Sequence, residues 1–256
     1  MKKSLMLCGL LLALTTSIVS AAPGTNLRWN ACFGDAGLTN KNSTCLVNTG
    51  SNALVGSFEI GNLPQVSGIE LVIDIATASA TLPAWWEFKN ALTCRTASLT
   101  MNATISAAAV VCVDWAGGAA AGGLAAYNQG GLAGANTARV IAGFAVAATS
   151  IADLFAGTEY FAFNMNINNL KTVGTPSCAG CLTPACIVFN SCKAATPPVA
   201  GQPSRDVTVS GPTNGTDSHF VTWQGGVGAT SARGQGCPAA TPTHNATWGS
   251  VKSLYR

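Results

Sequence analysis

The sequence has few charged side chains. Asp, Glu, Lys and Arg make up only 9% of its 256 residues, and the formal net charge is +3, whereas about 25% of the residues are charged in a typical globular domain. No basic run stands out, so the chain has no strong electrostatic attraction for nucleic acid or for an anionic membrane surface. We expect neither of them as a partner.

Catalytic and cofactor motifs are missing as well. The sequence contains no Gly-x-Ser-x-Gly, no His-Glu-x-x-His and no phosphate-binding P-loop, the patterns that would indicate a serine hydrolase, a zinc protease or a nucleotide-binding enzyme. Its two histidines, His219 and His244, lie in a turn-rich C-terminal segment, and isolated loop histidines are weak evidence for a catalytic site. The sequence predicts a protein that is not an enzyme and that has no cofactor.

The N-terminus carries the most pronounced apolar run. Two lysines at positions 2 and 3 precede apolar residues 5–14, and small residues follow up to Ala21, which is the arrangement of a secretory signal peptide. The run is too short for a bilayer, which takes about 20 residues, and no later segment is apolar enough for an anchor. We predict that residues 1–21 are a cleaved signal peptide and that the product is secreted, extracellular or periplasmic, without a membrane anchor.

Cysteine, by contrast, is abundant, with ten in the chain. Cys8 belongs to the predicted leader, which leaves an odd number in the product. In an exported chain, cysteines are first interpreted as disulfides, and the simplest local pairs are Cys32–Cys45 and Cys94–Cys112. The full set of disulfide candidates is Cys32, Cys45, Cys94, Cys112, Cys178, Cys181, Cys186 and Cys237. Cys192 is the candidate for the remaining free thiol.

The spacing of Cys, Asp and Asn residues can be compared with two kinds of metal site. Four thiolates between Cys178 and Cys192 would suit zinc, but only the first pair of that run has the spacing of a zinc knuckle. Oxygen ligands for calcium could come from Asp35, Asn40 and Asn42, or from Asn214 and Asp217. Neither run matches an EF-hand loop, and Asx turns explain these residues equally well. We expect no bound metal, and a cysteine-ligated zinc protein is kept as an alternative.

Alternation of apolar and polar residues predicts β-strands. It occurs over residues 54–60, 69–75 and 160–168, and residues 186–192 form a further apolar strand. Strands with one apolar and one polar face are typical of antiparallel sheets. Together with the frequent turns, they predict an all-β fold, an antiparallel β-sandwich or jelly-roll-like domain with long loops and an irregular C-terminal extension.

The predicted sandwich domain covers residues 22–195. Gly and Pro recur from 196 to 256, and we interpret this part as an extension packed on the domain through Cys237 and aromatic residues such as Trp223. Inside the domain, residues 116–135 are so rich in Gly and Ala that a long loop is expected. Residues 150–157 are expected to form one helical turn.

A short local pattern resembles fibronectin type III domains. Leu154, Gly157 and Tyr160 have the spacing found there at the corner before a late strand. In that family the tyrosine is in phase with the core residues of the strand, whereas strict alternation here places Tyr160 opposite Phe163 and the other apolar residues. We therefore keep the sandwich prediction without assigning that family.

Longer blocks resemble an uncharacterised group of exported bacterial β-rich proteins that contain cysteine. They are residues 83–89 (Pro-Ala-Trp-Trp-Glu-Phe-Lys), 178–191, 210–217 and 247–256. The resemblance implies export, and no known activity comes with it.

Trp85, Trp86 and Glu87 are the best candidates for ligand contact, because flat aromatic rings stack on sugar faces. The alternative is that the tryptophans plug one end of the sandwich, since tryptophan is usually largely buried. The sequence thus predicts an exported, disulfide-braced, non-enzymatic protein with a structural, adhesive or carbohydrate-binding role, whose partner is a glycan or another cell-surface component. A secreted glycan hydrolase with Glu87 in its site is a further alternative.

Overall fold

The structure is a computed structural model that describes residues 22–88, 94–130 and 134–226, and the predicted leader lies outside this range. Its regular elements are fourteen strands and three short 3₁₀ helices, with no α-helix among the described residues. The strands are β1 (Gly24–Trp29), β2 (Asn40–Lys41), β3 (Ser51–Glu59), β4 (Leu63–Val66), β5 (Gly68–Thr77), β6 (Leu99–Asn102), β7 (Val113–Asp114), β8 (Ala121–Gln129), β9 (Thr137–Ala145), β10 (Ala152–Leu154), β11 (Tyr160–Asn168), β12 (Ala185–Ala195), β13 (Val207–Ser210) and β14 (Phe220–Trp223). The 3₁₀ helices are Ala84–Trp86, Ala148–Ser150 and Gln224–Gly226. Within these ranges, no helix has the length and apolar character that a membrane crossing requires.

Most strands belong to two sheets that share one hydrophobic core. The first sheet has the order β1-β3-β11-β6, and β7 also pairs with β11. The second has the order β2-β14-β12-β5-β9-β8, and β13 also pairs with β12. The short contacts β7–β11 and β2–β14 are parallel, and the longer pairings are antiparallel. Side chains from both sheets meet in the core, as Phe163 and Phe189 do with ring centroids 5.1 Å apart. The predicted all-β antiparallel fold is confirmed, and the arrangement is consistent with a β-sandwich.

Strand β5, in the middle of the second sheet, follows the alternation of its sequence. Its inward side chains are at most 1% exposed: Ile69, Leu71, Ile73 and Ile75. On the other face, Asp74 forms an ion pair of 2.6 Å with Arg139 of β9. Because a fully buried Leu or Ile side chain contributes about 1.5–3 kcal/mol, this strand supplies a substantial part of the core energy.

A bulge in β11 changes which of its side chains reach the core. The pairing with β3 shifts its register between Phe161 and Phe163, so Tyr160 and Phe163 both lie in the core. Phe161 joins a separate small cluster with Val55. The Tyr160 hydroxyl accepts a 2.9 Å hydrogen bond from the backbone N–H of Phe155, which is the contact of a tyrosine corner. The expected phase of Tyr160 is therefore wrong, because a bulge inserts one extra residue into a strand.

Three other segments differ from the sequence expectations. Residues 121–129 of the Gly/Ala-rich segment form β8 rather than a loop, since β9 supplies a ladder of backbone hydrogen bonds. The helical turn expected at 150–157 does not form. A 3₁₀ helix ends at Ser150, and β10 follows at Ala152–Leu154. The C-terminal segment is described up to residue 226, and in this part it is not irregular, because β13 and β14 both pair with β12. Trp223 of β14 is fully buried, so this part does pack on the domain.

Three disulfides join parts of the chain that are distant in sequence. Their pairs are Cys32–Cys112, Cys45–Cys181 and Cys94–Cys178, with separations of 80, 136 and 84 positions. The predicted local pairs are wrong, because sheet pairing brings each of these cysteines close to a distant partner. Cys186 is also disulfide-bonded, Cys192 is a buried free cysteine, and Cys237 lies outside the described residues. The chain is thus a disulfide-braced β protein, and such bonds indicate an oxidising, non-cytoplasmic compartment.

Candidate functional site

Trp85 and Trp86, the predicted ligand platform, lie inside the protein. Both residues are 0% exposed. Trp85 stacks on Trp223 with ring centroids 5.2 Å apart and meets Trp86 edge-on at 5.0 Å, while its Nε1 donates to the hydroxyl of Thr172. A sugar cannot stack on a ring that has no free face. The predicted platform is therefore wrong for these residues, and the alternative of an apolar plug describes the observed packing.

The same aromatic cluster contains a buried arginine. Arg95 is 1% exposed, and its guanidinium lies 3.8 Å from the ring centroid of Trp85. It donates to the backbone carbonyls of Trp85 and Asn168, and burial lowers its pKa to about 9. No carboxylate in the described part of the chain forms an ion pair with it. Arg95 therefore contributes stacking and hydrogen bonds to the core, and it is inaccessible to a ligand.

The cysteine run 178–192 does not form a metal site. Cys178 and Cys181 are bonded to distant cysteines, and Cys186 is disulfide-bonded as well. Burial raises the pKa of Cys192, which keeps its thiol protonated and unreactive. The alternative of a cysteine-ligated zinc protein is therefore wrong for this run, because zinc takes thiolate ligands.

One other group of potential ligand atoms lies close together among the described residues, from Cys32, Cys112 and Glu159. Two of its members form a disulfide, whose sulfur atoms are not thiolates. The group thus offers a single carboxylate, which is too few ligands for a metal centre.

The residues considered for calcium make turn and loop contacts. Asn214 Oδ1 accepts hydrogen bonds from the backbone N–H groups two to four positions ahead, as in an Asx turn. Asp35 accepts the backbone N–H groups of residues 110–112, and Asn40 donates to Asn42. These hydrogen bonds explain why Asn and Asp occur at these positions, so a bound calcium ion is not needed to explain them.

Buried charges gather on the outer face of the first sheet. Arg28 of β1, Glu59 of β3 and Glu159, just before β11, are each at most 7% exposed, although charged side chains are rarely buried without partners. Arg28 Nη1 donates to the carbonyl oxygens of Leu27 at 2.8 Å and Ser218 at 3.0 Å. Its burial lowers the pKa of the guanidinium, and Asp217 and Glu159 act in the opposite direction. Arg28 thereby fastens the segment before β14 to the edge of the first sheet.

Glu59 and Glu159 are neighbours across β3 and β11, because Tyr160 pairs with Phe58. Glu159 accepts hydrogen bonds from the hydroxyl of Ser57 and from the backbone N–H groups of residues 33 and 34. Glu59 Oε2, in contrast, is buried without a hydrogen-bond partner in the described ranges. Burial, and then repulsion from Glu159, raises the pKa of Glu59. Glu59 therefore keeps its proton to a higher pH than an exposed glutamate does, because no donor in the described part of the chain stabilises the charged form of its buried Oε2.

Replacing Glu59 by Gln is expected to change how stability depends on pH. Because the folded state raises the pKa of Glu59, the wild type loses stability as the pH rises from the usual carboxyl range through that raised pKa. The Gln variant lacks this loss, so it should be about 0.5–1 kcal/mol more stable than the wild type at pH 7, with no gain at pH 4. Urea unfolding of both proteins at several pH values measures the difference.

Glu70→Gln is the matched control, since Glu70 lies on β5 with a side chain that is 67% exposed. It should shift the free energy of unfolding by less than about 0.5 kcal/mol. Equal urea midpoints for the wild type and Glu59→Gln at every pH would contradict the inferred repulsion.

A pocket of about 380 Å³ lies on the same outer face. Its floor contains Val55 of β3 and Phe161 of β11, and Cys32, which is bonded to Cys112, also lines it. One wall comes from residues 30–35, which follow β1, and the other comes from residues 105–109, between β6 and β7. This volume is in the range of small-molecule sites, which are typically apolar clefts with a few polar groups.

The polar side chains of the pocket are two amides, one carboxylate and the hydroxyl of Ser106, which accepts the backbone N–H of Ala108. The side chains of Asn30 and Asn164 line it and make no hydrogen bond within the described residues, and Asn164 Oδ1 is buried without a partner. For Asp35, burial alone would raise the pKa, but the N–H groups of residues 110–112 outweigh it and lower the pKa. Lys, Arg and His are absent from the residues that line the pocket. The site can therefore exchange hydrogen bonds with a ligand while offering no positive charge.

Sequence reasoning finds some of these residues but not their grouping. Alternation along β3 places Glu59 on the outward face, where it does lie. Residues 33 and 34 cover this face. Their position could not be predicted from the sequence, because it depends on the Cys32–Cys112 bond. Asn30 and Asn164 lie 134 positions apart and carry no motif, so no local signal marks the pocket.

Comparison with known proteins leaves the site to be judged by its own geometry. No family model matches the chain, and no match was found among the curated proteins or the solved structures. The resemblance to a group of exported bacterial proteins stays an expectation.

Proposed function

We propose that this chain is an exported, non-enzymatic, disulfide-braced protein with a structural or adhesive role at or outside the cell surface. The observation that carries the proposal is the set of three disulfides between residues at least 80 positions apart. Such bonds persist in oxidising compartments and are rare in the cytosol. They also slow unfolding, which protects a protein from proteolysis where it cannot be refolded.

The use of the buried ionisable groups supports a non-enzymatic role. Arg28 and Arg95 donate to backbone carbonyls, and Glu159 accepts backbone N–H groups under the loop that covers it. A glycan hydrolase needs two carboxylates across an open cleft. Glu87 follows the two buried tryptophans and acts electrostatically on the buried Tyr127, so the structural role is favoured over the alternative that places Glu87 in a hydrolase site.

Cell fractionation tests the proposal. Expressed with its own leader, the protein should accumulate in the periplasm or the medium, begin at Ala22 by intact mass, and carry its disulfides under non-reducing conditions. A Leu12→Arg variant, which interrupts the apolar run of the leader, should stay in the cytoplasm as a control. A wild-type protein that remains cytoplasmic with reduced cysteines would overturn the proposal.

A further inference from the structure

We infer that the pocket between residues 30–35 and 105–109 binds a neutral saccharide. The inference rests on the proposed role outside the cytoplasm, where glycans are displayed, and it gives that role a site. This site is different from the tryptophans that the sequence singles out, since it lies on the outer face of the first sheet. Its residues all fall within the described ranges.

The hydrogen-bonding groups of the pocket suit hydroxyl groups. A side-chain amide presents an N–H donor beside a C=O acceptor, which matches two neighbouring hydroxyls of a sugar, each able to donate and accept. The amides of Asn30 and Asn164 are free of partners in the described part of the chain. The amide of Asn52, by contrast, is occupied, because it donates to the carbonyl of Ile167. Asn30 is exposed, so its amide is open to a ligand, whereas Asn164 Oδ1 is buried without a partner among the described residues. A buried polar atom of this kind costs free energy, and a ligand hydroxyl would satisfy it.

The apolar surface of the pocket suits the carbon face of a sugar ring. Ile105 and Ala109 are partly buried and supply this surface, and they pack on Val55, Phe161 and the Cys32–Cys112 bond, which are buried beneath them. A ring with C–H groups on one side and hydroxyls around its edge would cover this surface while its hydroxyls reach the two amides. The volume of about 380 Å³ is at the lower end of the range for small-ligand sites, as expected for one or two sugar rings.

Charge restricts the ligand further. Asp35 lies at the pocket with a lowered pKa, which favours its ionised form at neutral pH, and no cationic side chain lines the site. An acidic ligand would lose solvation there and would meet a negative charge without compensation. A hydroxyl group can donate to the same carboxylate, so neutral sugars are favoured over sialylated or sulfated ones.

The pocket is also held in shape before a ligand arrives. The Cys32–Cys112 bond ties the first wall to the segment that follows the second wall. Asp35 reinforces this link by accepting the backbone N–H groups of residues 110 and 111 at 2.9 Å each. Binding to a preformed site costs less ordering entropy than binding that closes a loop.

Binding to immobilised oligosaccharides tests the inference, with neutral, sialylated and sulfated glycans on the same array and calorimetry on the best neutral glycan. The wild type should bind at least one neutral glycan. Asn164→Leu should weaken this binding about ten-fold, which corresponds to one lost hydrogen bond. Ala108→Trp, at an exposed position in the pocket wall, should weaken it by a similar or larger factor because the indole fills the space.

Asn166→Leu is the matched control, because Asn166 lies on β11 two residues from Asn164, and it is not among the residues that line the pocket. Its affinity should stay within about two-fold of the wild type. No binding to any neutral glycan, binding to charged glycans alone, or equal losses for Asn164→Leu and Asn166→Leu would overturn the inference. If Asn164→Leu fails to fold, Ala108→Trp decides. Fractionation and glycan binding can fail independently, so the site and the proposed localisation are tested separately.

Discussion

A variant without the Cys45–Cys181 bond, Cys45→Ala/Cys181→Ala, is expected to lose about 3–4 kcal/mol of the free energy of unfolding. The bond joins residues 136 positions apart, so it removes much conformational freedom from the unfolded chain. The expected loss is below that of a lone bond of this span because other disulfides, such as Cys94–Cys178, already shorten the loop that this bond closes. Urea unfolding without reductant measures the loss as a lower midpoint.

The free thiol provides the control for this experiment. Cys192 is fully buried and unbonded, so Cys192→Ala removes a sulfur atom from the core without removing a cross-link. Its expected cost is about 1 kcal/mol. Addition of dithiothreitol should lower the wild-type midpoint at least to that of the double variant, since the reductant cleaves the Cys45–Cys181 bond together with the other disulfides. A double variant that is no less stable than Cys192→Ala would show that this bond does not brace the fold.

Arg95→Ala is expected to cost about 4 kcal/mol of the free energy of unfolding. The substitution leaves a cavity between Trp85 and Phe88, whose ring centroids lie 3.8 and 5.3 Å from the guanidinium carbon. It also leaves the carbonyls of Trp85 and Asn168 without the donors that Arg95 supplies. Chemical unfolding and near-ultraviolet circular dichroism, which reports on tryptophan packing, measure the change.

Arg95→Met separates packing from hydrogen bonding. Methionine fills much of the same volume and has no charge to desolvate, but it cannot donate to the two carbonyls. We expect a loss of about 2 kcal/mol, clearly smaller than that of the alanine variant. A methionine variant as unstable as Arg95→Ala would mean that the hydrogen bonds, and not the stacking on tryptophan, carry the contribution of this residue.

The strands were predictable where local sequence and burial agree. In β5, the side chains of Ile69, Leu71 and Ile73 are buried in strict alternation, since a strand sends successive side chains to opposite faces. The same rule fails at Tyr160, where the bulge in β11 reverses the phase. The sequence also failed to predict β8. Gly and Ala have low strand propensity, and the partner strand β9 supplies the stabilisation instead.

The candidate site was less predictable than the strands. Trp85 and Trp86 are conspicuous in the sequence, yet their indoles are buried by contacts with Trp223, a residue 137 positions beyond Trp86. Asn30 and Asn164 are inconspicuous. They line one pocket because Asn30 directly follows β1 and Asn164 lies on β11, and both of these strands flank β3 in the first sheet. Local sequence shows which residue types are present, whereas a binding site depends on which of them share a surface.

By itself, the sequence of this protein determined the fold class and predicted that its cysteines form disulfides, because alternation and cysteine content are local or compositional properties. Only the tertiary structure decided how the cysteines pair, which tryptophans are buried and where Glu59 meets Glu159. Each of these depends on strand register and on contacts between residues about 80 to 140 positions apart. Such contacts are formed by the packed sheets as a whole, and no short segment of the chain encodes them.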